Sequence, residues 1–190
     1  MIHTIFPKTI WMVDNILVDE LPSLSQFCID ICDTYSVESN DLLNVPSTHK
    51  TESNLQQFPE MQSLVKHICI NALEYCKDLG YSNTDIEDMS LHNMWTNVSG
   101  ENSYIFPHNH RDSFISGVYY VECNPDDEIT FFNNPNDLMD RKPTTSNTFN
   151  SEYYTIPCLP GRLIMFKSNM LHGTQSQKSH RKIAISFNLR

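Results

Sequence analysis

From residue 89 onward the chain is written in short β-type runs, and that pattern leaves few folds open. The runs cover 89–98, 103–109, 114–122, 128–132, 148–156, 162–167 and 181–189. Dense turn chemistry separates them: Asn124-Pro125-Asp126-Asp127, Asn133-Asn134-Pro135-Asn136 and Pro160-Gly161. Many short strands at this spacing predict an antiparallel sandwich or barrel. The stretch 136–148, with Pro143, Thr144, Thr145, Ser146 and Asn147, reads as a long exposed loop, and such loops at a barrel mouth are often lids.

Ahead of residue 89 the periodicity is helical. Residues 1–18 read as extended. Residues 21–37 place Leu24, Phe27, Cys28, Ile31 and Tyr35 on one stripe, and 57–79 do the same with Met61, Leu64, Val65, Ile68, Cys69, Ala72, Leu73 and Cys76, closed by Gly80 as the cap. A polar loop, about 38–56, joins them. The expected architecture is α+β but mainly β. One domain spans 1–190, with an N-terminal strand and two helices (1–88) packed outside a barrel core (89–190). A hydrophobic fraction of 39% over 190 residues suits one core without metal or disulfide staples.

Thirteen Lys and Arg against 23 Asp and Glu give a net charge of −10. That argues against broad nucleic-acid or anionic-membrane binding, which needs a positive field, but leaves room for a local basic pocket. No apolar run is long enough to span a membrane, and the N-terminus lacks the basic start and apolar stretch of a signal peptide. The expected location is therefore cytoplasmic. Six cysteines fit that: Cys28 and Cys32, and Cys69 and Cys76, sit at core-helix spacings with no CxxC pair, so reduced thiols are expected.

The densest polar cluster is Pro107-His108-Asn109-His110-Arg111-Asp112-Ser113, directly before the apolar run 114–121. Residues two apart on a strand share a face, so His108 and His110 can point together, and Asp112 can continue the row. Imidazoles and a carboxylate at that spacing suit Fe(II), Zn(II) or Mn(II). By itself His-x-His is weak, since exposed loop histidines are common. His172 adds weight, lying after the run 162–166, and nine residues later Arg181 opens the last strand. In that strand Arg181, Ile183, Ile185 and Phe187 share one face, and Lys182, Ala184, Ser186 and Asn188 the other. If the Ile/Phe face looks inward, Arg181 enters the barrel and needs an anion, supplied either by a protein carboxylate or by a ligand. Ser116, Val118 and Tyr120 share a face by the same parity, and Tyr120 could add a phenol donor to that anion.

The order His-x-His/Asp, Ser-Gly-Val-Tyr-Tyr-Val, Pro-Gly-x-Leu-x-x-Phe, Leu-His, Arg and Ser-Phe-Asn resembles the 2-oxoglutarate and Fe(II)-dependent oxygenases. More narrowly it looks like a subfamily of oxygenases common in marine phages and bacteria, in which Trp-x-Asn (here Trp95-Thr96-Asn97) precedes the metal motif and Ile5-Phe6-Pro7 is typical of the start. The resemblance is strongest from Trp95 to Asn188. It implies a double-stranded β-helix, a jelly-roll or cupin-like barrel holding Fe(II) and 2-oxoglutarate at its mouth. His172 would be the distal ligand and Arg181 the partner of the far carboxylate, with Tyr120 helping. Asn97 and Trp95 would lie near the site, although core packing is the stronger reading for Trp95. Ser116 is a further candidate for the cofactor subsite.

The superfamily pattern is His-x-Asp…His, which His110, Asp112 and His172 would supply. The narrower subfamily shows His-x-His, which points to His108, His110 and His172. Asp112 would then orient an imidazole or cap a loop. We lean to the three-histidine set. The implied reaction consumes 2-oxoglutarate and oxygen, releases succinate and carbon dioxide, and hydroxylates an unidentified protein side chain or small molecule. It needs no side-chain nucleophile, and none stands out. Candidate substrate contacts are the loop 136–148, Tyr104–Phe106, and Tyr153 and Tyr154, though paired aromatics in a strand are more often core. Two rivals stand beside this reading. A metal-binding sandwich that uses no 2-oxoglutarate would pair Arg181 with a protein carboxylate. A non-catalytic β-sandwich interaction module would keep His172 far from His110.

Overall fold

The computed structural model describes residues 1–35 and 45–190. The end of the expected first helix (36–37) and the first part of the expected 38–56 loop lie outside the described residues. Among the described residues two α-helices, α1 (Leu21–Tyr35) and α2 (Gln62–Asp78), accompany nine strands: β1 (Ile10–Val13), β2 (Leu91–Ser99), β3 (Ile105–His108), β4 (Ile115–Glu122), β5 (Glu128–Phe132), β6 (Tyr153–Pro157), β7 (Leu163–Lys167), β8 (His172–Thr174) and β9 (Lys182–Leu189). They form two antiparallel sheets, ordered β1-β7-β4-β9-β2 and β3-β8-β5-β6. This is the expected double-stranded β-helix with two helices outside. Among the described residues no helix is long and apolar enough to cross a membrane.

Alternation along the strands builds two separate cores. Ile115, Tyr119 and Val121 of β4, Leu163 and Met165 of β7, and Ile183, Ile185, Phe187 and Leu189 of β9 pack with the helix stripes Leu24, Cys28, Ile31 and Leu64, Ile68, Ala72, Cys76. The opposite faces, with Val118, Tyr120, Ile164, Phe166 and Ala184, meet Ile129, Phe131 and Ile156 of the smaller sheet. Both faces of the larger sheet are therefore buried along much of their length. Tyr35 and Leu73, placed on the stripes by periodicity, end up largely exposed. The expected 57–79 helix begins as two short 3-10 turns, because Pro59 opens the second of them.

Gly117 of β4 sits opposite Phe187 of β9. A Cβ there would lie 2.3 Å from Phe187 Cζ and 2.7 Å from the Ile164 carbonyl oxygen. Only a residue without a side chain leaves room for the Phe187 ring here. All six cysteines are free, four of them buried.

Candidate metal centre and cofactor cavity

A cavity of about 550 Å³ opens between the sheets at the end where β3 and β8 pair. Cross-strand register brings its histidines together. His108 of β3 sits opposite His172 of β8, and His110 follows two residues later, its backbone N–H donating to the Ser168 carbonyl at 2.8 Å. Gly173 allows this approach, since a Cβ there would come within 2.6 Å of the Ile105 carbonyl oxygen. The ring centroids of His108, His110 and His172 lie 4.4–5.1 Å apart. One nitrogen from each lies within 4.8 Å of the others.

Each ring is anchored through the same atom. His108 Nδ1 donates to the Phe106 carbonyl at 2.8 Å, His172 Nδ1 to the Met170 carbonyl at 2.9 Å, and His110 Nδ1 to Asn188 Oδ1 at 2.6 Å. An acceptor at Nδ1 fixes the proton there and leaves Nε2 as a lone pair. Burial pushes His172 down to about 3, with help from the neighbouring His108 charge, and burial likewise pushes His110 down to about 4. Both rings are thus neutral donors at physiological pH. Asn188 is itself held: its Oδ1 also accepts from Ser116 Oγ at 2.7 Å, and its Nδ2 donates to Asn93 Oδ1 at 2.8 Å.

Asp112 lies in the exposed turn after His110. It faces the cavity but is not among the groups whose donor atoms converge. Asn97 lines the cavity, its Nδ2 donating to Ser186 Oγ at 3.3 Å and its buried Oδ1 without a partner. Trp95 forms wall between His49, at 4.5 Å, and His110, at 6.0 Å. Tyr120 lines the floor beside the Cys158 thiol, and burial pushes its phenol well up, so it stays protonated. Ser116 does not line the cavity; its hydroxyl serves Asn188 and Ser168.

Arg181 requires a correction. Its guanidinium does not enter the barrel but lies half exposed outside, in a two-point pair with Glu122 at 2.8 and 2.9 Å. The parity of the last strand is as expected, but its faces are exchanged. The Ile/Phe face packs on the helices, so the lumen receives Lys182, Ala184, Ser186 and Asn188. Lys182 is 6% exposed, and among the described residues no carboxylate pairs with it. Buried Asp127 feels the Lys182 charge without pairing with it, since its carboxylate accepts from Ser179 and from the Asn124 and Lys178 backbone N–H groups, so the ammonium has room for a further anionic partner.

The loop 136–148 contributes nothing to the cavity wall, and of Tyr104–Phe106 only Ile105 does. Tyr153 and Tyr154 are exposed rather than core. Lys182, Asn188 and His49 escaped the sequence reading. For Lys182 the alternation of the last strand is the one available signal, and it does not say which face meets the lumen. The contacts of Asn188 and His49 come from residues far away in the chain.

This fold and this histidine cluster define a metal-dependent oxygenase barrel. A family model described as "Putative 2OG-Fe(II) oxygenase" matches residues 93–188, half of the chain. The chain belongs to that family, as a 2-oxoglutarate- and Fe(II)-dependent oxygenase. Among solved structures it is similar to a prolyl-4-hydroxylase from Pseudomonas putida, at 13% identity and TM-score 0.65, covering 96% of this chain and 93% of that one. It is also similar to a viral collagen prolyl hydroxylase from Paramecium bursaria Chlorella virus-1, in complex with 2-oxoglutarate, at 14% identity and TM-score 0.63, covering 96% of both chains. A non-heme α-ketoglutarate-dependent carbocyclase from nogalamycin biosynthesis matches at 11% identity and TM-score 0.66, covering 96% and 79%. No curated protein matches by sequence.

Proposed function

We propose that His108, His110 and His172 hold Fe(II), that Lys182 receives the far carboxylate of 2-oxoglutarate, and that the chain hydroxylates a small molecule or a protein side chain. The observation that carries this is the common anchoring of the three imidazoles through Nδ1, which leaves their other ring nitrogens free to converge on one ion. The donor set suits Fe(II). The buried, unpaired Lys182 and the orphaned Oδ1 of Asn97 suit a polar, anionic co-substrate. Bound there, iron and 2-oxoglutarate supply oxidative chemistry at a C–H bond, with release of succinate and carbon dioxide.

The chain's own residues bind, orient and shield. Asn188 and the two backbone carbonyls hold the imidazoles in one tautomer. Lys182 neutralises a carboxylate far from water. Phe166, whose ring centroid is 4.5 Å from that of His172, and Phe131 close the site from behind. Tyr120 stays protonated and can donate to the same carboxylate. We further infer a single domain over 1–190, membership of the phage and bacterial subfamily marked by Trp95-Thr96-Asn97 ahead of His-x-His, and a cytoplasmic location in keeping with six free thiols.

Arg181 does pair with a protein carboxylate, the condition set for a metal sandwich without 2-oxoglutarate. The pair is external, however, and leaves the lumen cation free. An interaction module fares worse, since His172 and His110 lie 5.1 Å apart. The test is anaerobic titration with Fe(II) and then 2-oxoglutarate, read by the visible charge-transfer band of the chelated co-substrate. Lys182→Gln should weaken 2-oxoglutarate at least about tenfold, the loss expected for one partner of a buried charge pair, while Arg181→Gln should not. The opposite ranking refutes the Lys182 assignment, and a wild type that binds metal without a band refutes the oxygenase reading.

A further inference from the structure

The chain carries 23 acidic and 13 basic side chains, yet the cavity wall reverses that balance. Lys50, Arg111, Lys182 and Arg190 line it against a single carboxylate, Asp112. Lys182 is deep. The other three are exposed at the opening, on separate segments: ahead of β2, in the turn after His110, and beyond the end of β9. Elsewhere among the described residues Lys77, Lys142, Arg162 and Arg181 each have a carboxylate partner, while Lys8, Lys66, Arg141, Lys167 and Lys178 have none. Among the described residues Lys50, Arg111 and Arg190 find none.

Unpaired like charges around a concave site repel one another and focus a positive potential into it. The co-substrate's far carboxylate engages Lys182, so the rim charges face a different anion. Volume permits this, because about 550 Å³ is within the range of sites that enclose drug-sized ligands. The Trp95 indole, beside His110 and His49, offers a flat apolar surface in the same cavity wall as those charges.

We propose that the substrate is a small anion whose carboxylate or phosphate is held by Lys50 and Arg111 at the rim. The inference rests on the oxygenase reading for the role of the site, and on the rim charges for the chemistry of its occupant. Nucleic acid is disfavoured because the rim is a local exception on a chain of net charge −10.

Anaerobic protein loaded with Mn(II) and 2-oxoglutarate is titrated with phenyl phosphate, benzoate and neutral benzyl alcohol. Binding is read by Trp95 fluorescence in a Trp11→Phe background. At least one anion should bind about tenfold or more tightly than the alcohol, and lose about tenfold in Lys50→Gln/Arg111→Gln and in high salt. The stronger anion tells phosphate from carboxylate. Equal binding of the alcohol, or anion binding untouched in the double variant, overturns the proposal. A short single-stranded DNA that outcompetes phenyl phosphate and depends on the same two residues overturns the small-molecule assignment. The Fe(II)–2-oxoglutarate band is recorded on the same preparation. A band without anion binding sinks the substrate proposal alone, whereas anion binding without a band sinks the oxygenase reading.

Discussion

Replacing Asn188 with alanine removes the side chain that orients His110, one of the three proposed metal ligands. Its Oδ1 accepts from His110 Nδ1 at 2.6 Å and from Ser116 Oγ at 2.7 Å, and its Nδ2 donates to Asn93. Without it the His110 ring loses the acceptor that keeps the proton on Nδ1, and its Nε2 lone pair is no longer guaranteed. Losing such a supporting partner typically costs about 10–100-fold in metal affinity, or about 1.4–2.8 kcal/mol. Three hydrogen bonds also vanish, one buried and two partly buried, so stability should fall by about 1–3 kcal/mol. Asn188→Asp keeps an acceptor at His110 and separates the two effects, since it should hold metal far better than Asn188→Ala. Anaerobic calorimetry with Fe(II) measures affinity, and urea denaturation of the metal-free protein measures stability. A folded Asn188→Ala variant that binds Fe(II) within about twofold of wild type would refute the orienting role.

Other consequences follow from packing and charge. Gly117→Ala should lower stability by about 1–3 kcal/mol by urea denaturation, because its Cβ collides with Phe187 and with backbone that cannot yield. Asp14 binds Arg162 through two bonds of 2.6 and 2.9 Å, and that guanidinium holds its carboxyl below the usual range. A lowered folded-state value means that the stabilisation is complete above about pH 4, the ordinary carboxylate range. It fades as the pH falls further, through the folded-state value. Asp14→Asn should therefore cost stability at pH 7 and progressively less at pH 3. The cost should stay under about 1 kcal/mol, since the Asp14 side chain is 41% exposed.

Much of this molecule is written locally. Period-two alternation and turn residues mark seven of the nine strands described, the extended N-terminal stretch holds β1, and the helix stripes mark α1 and α2. The strand β8 is too short to read, at three residues with a glycine in the middle. The site was half legible. His108, His110 and His172 announce themselves as residue types, and β3–β8 pairing brings them together. Arg181 and Lys182 show the limit. Alternation says that they lie on opposite faces, but not which face meets the lumen when both are buried. Here the helices claim the more apolar face, which leaves the small and polar residues of β9 for the cavity. Ser116 and Asn188 are likewise ordinary strand residues until a fold brings 72 positions of chain separation down to a hydrogen bond.

The ligand set is the centre of this account, and Fe(II) affinity in His108→Ala and Asp112→Ala tests it most directly. Anaerobic calorimetry, with circular dichroism to confirm folding, should show that Asp112→Ala retains wild-type affinity and His108→Ala loses nearly all of it. Retention in His108→Ala together with loss in Asp112→Ala would contradict the three-histidine centre and restore the His-x-Asp arrangement.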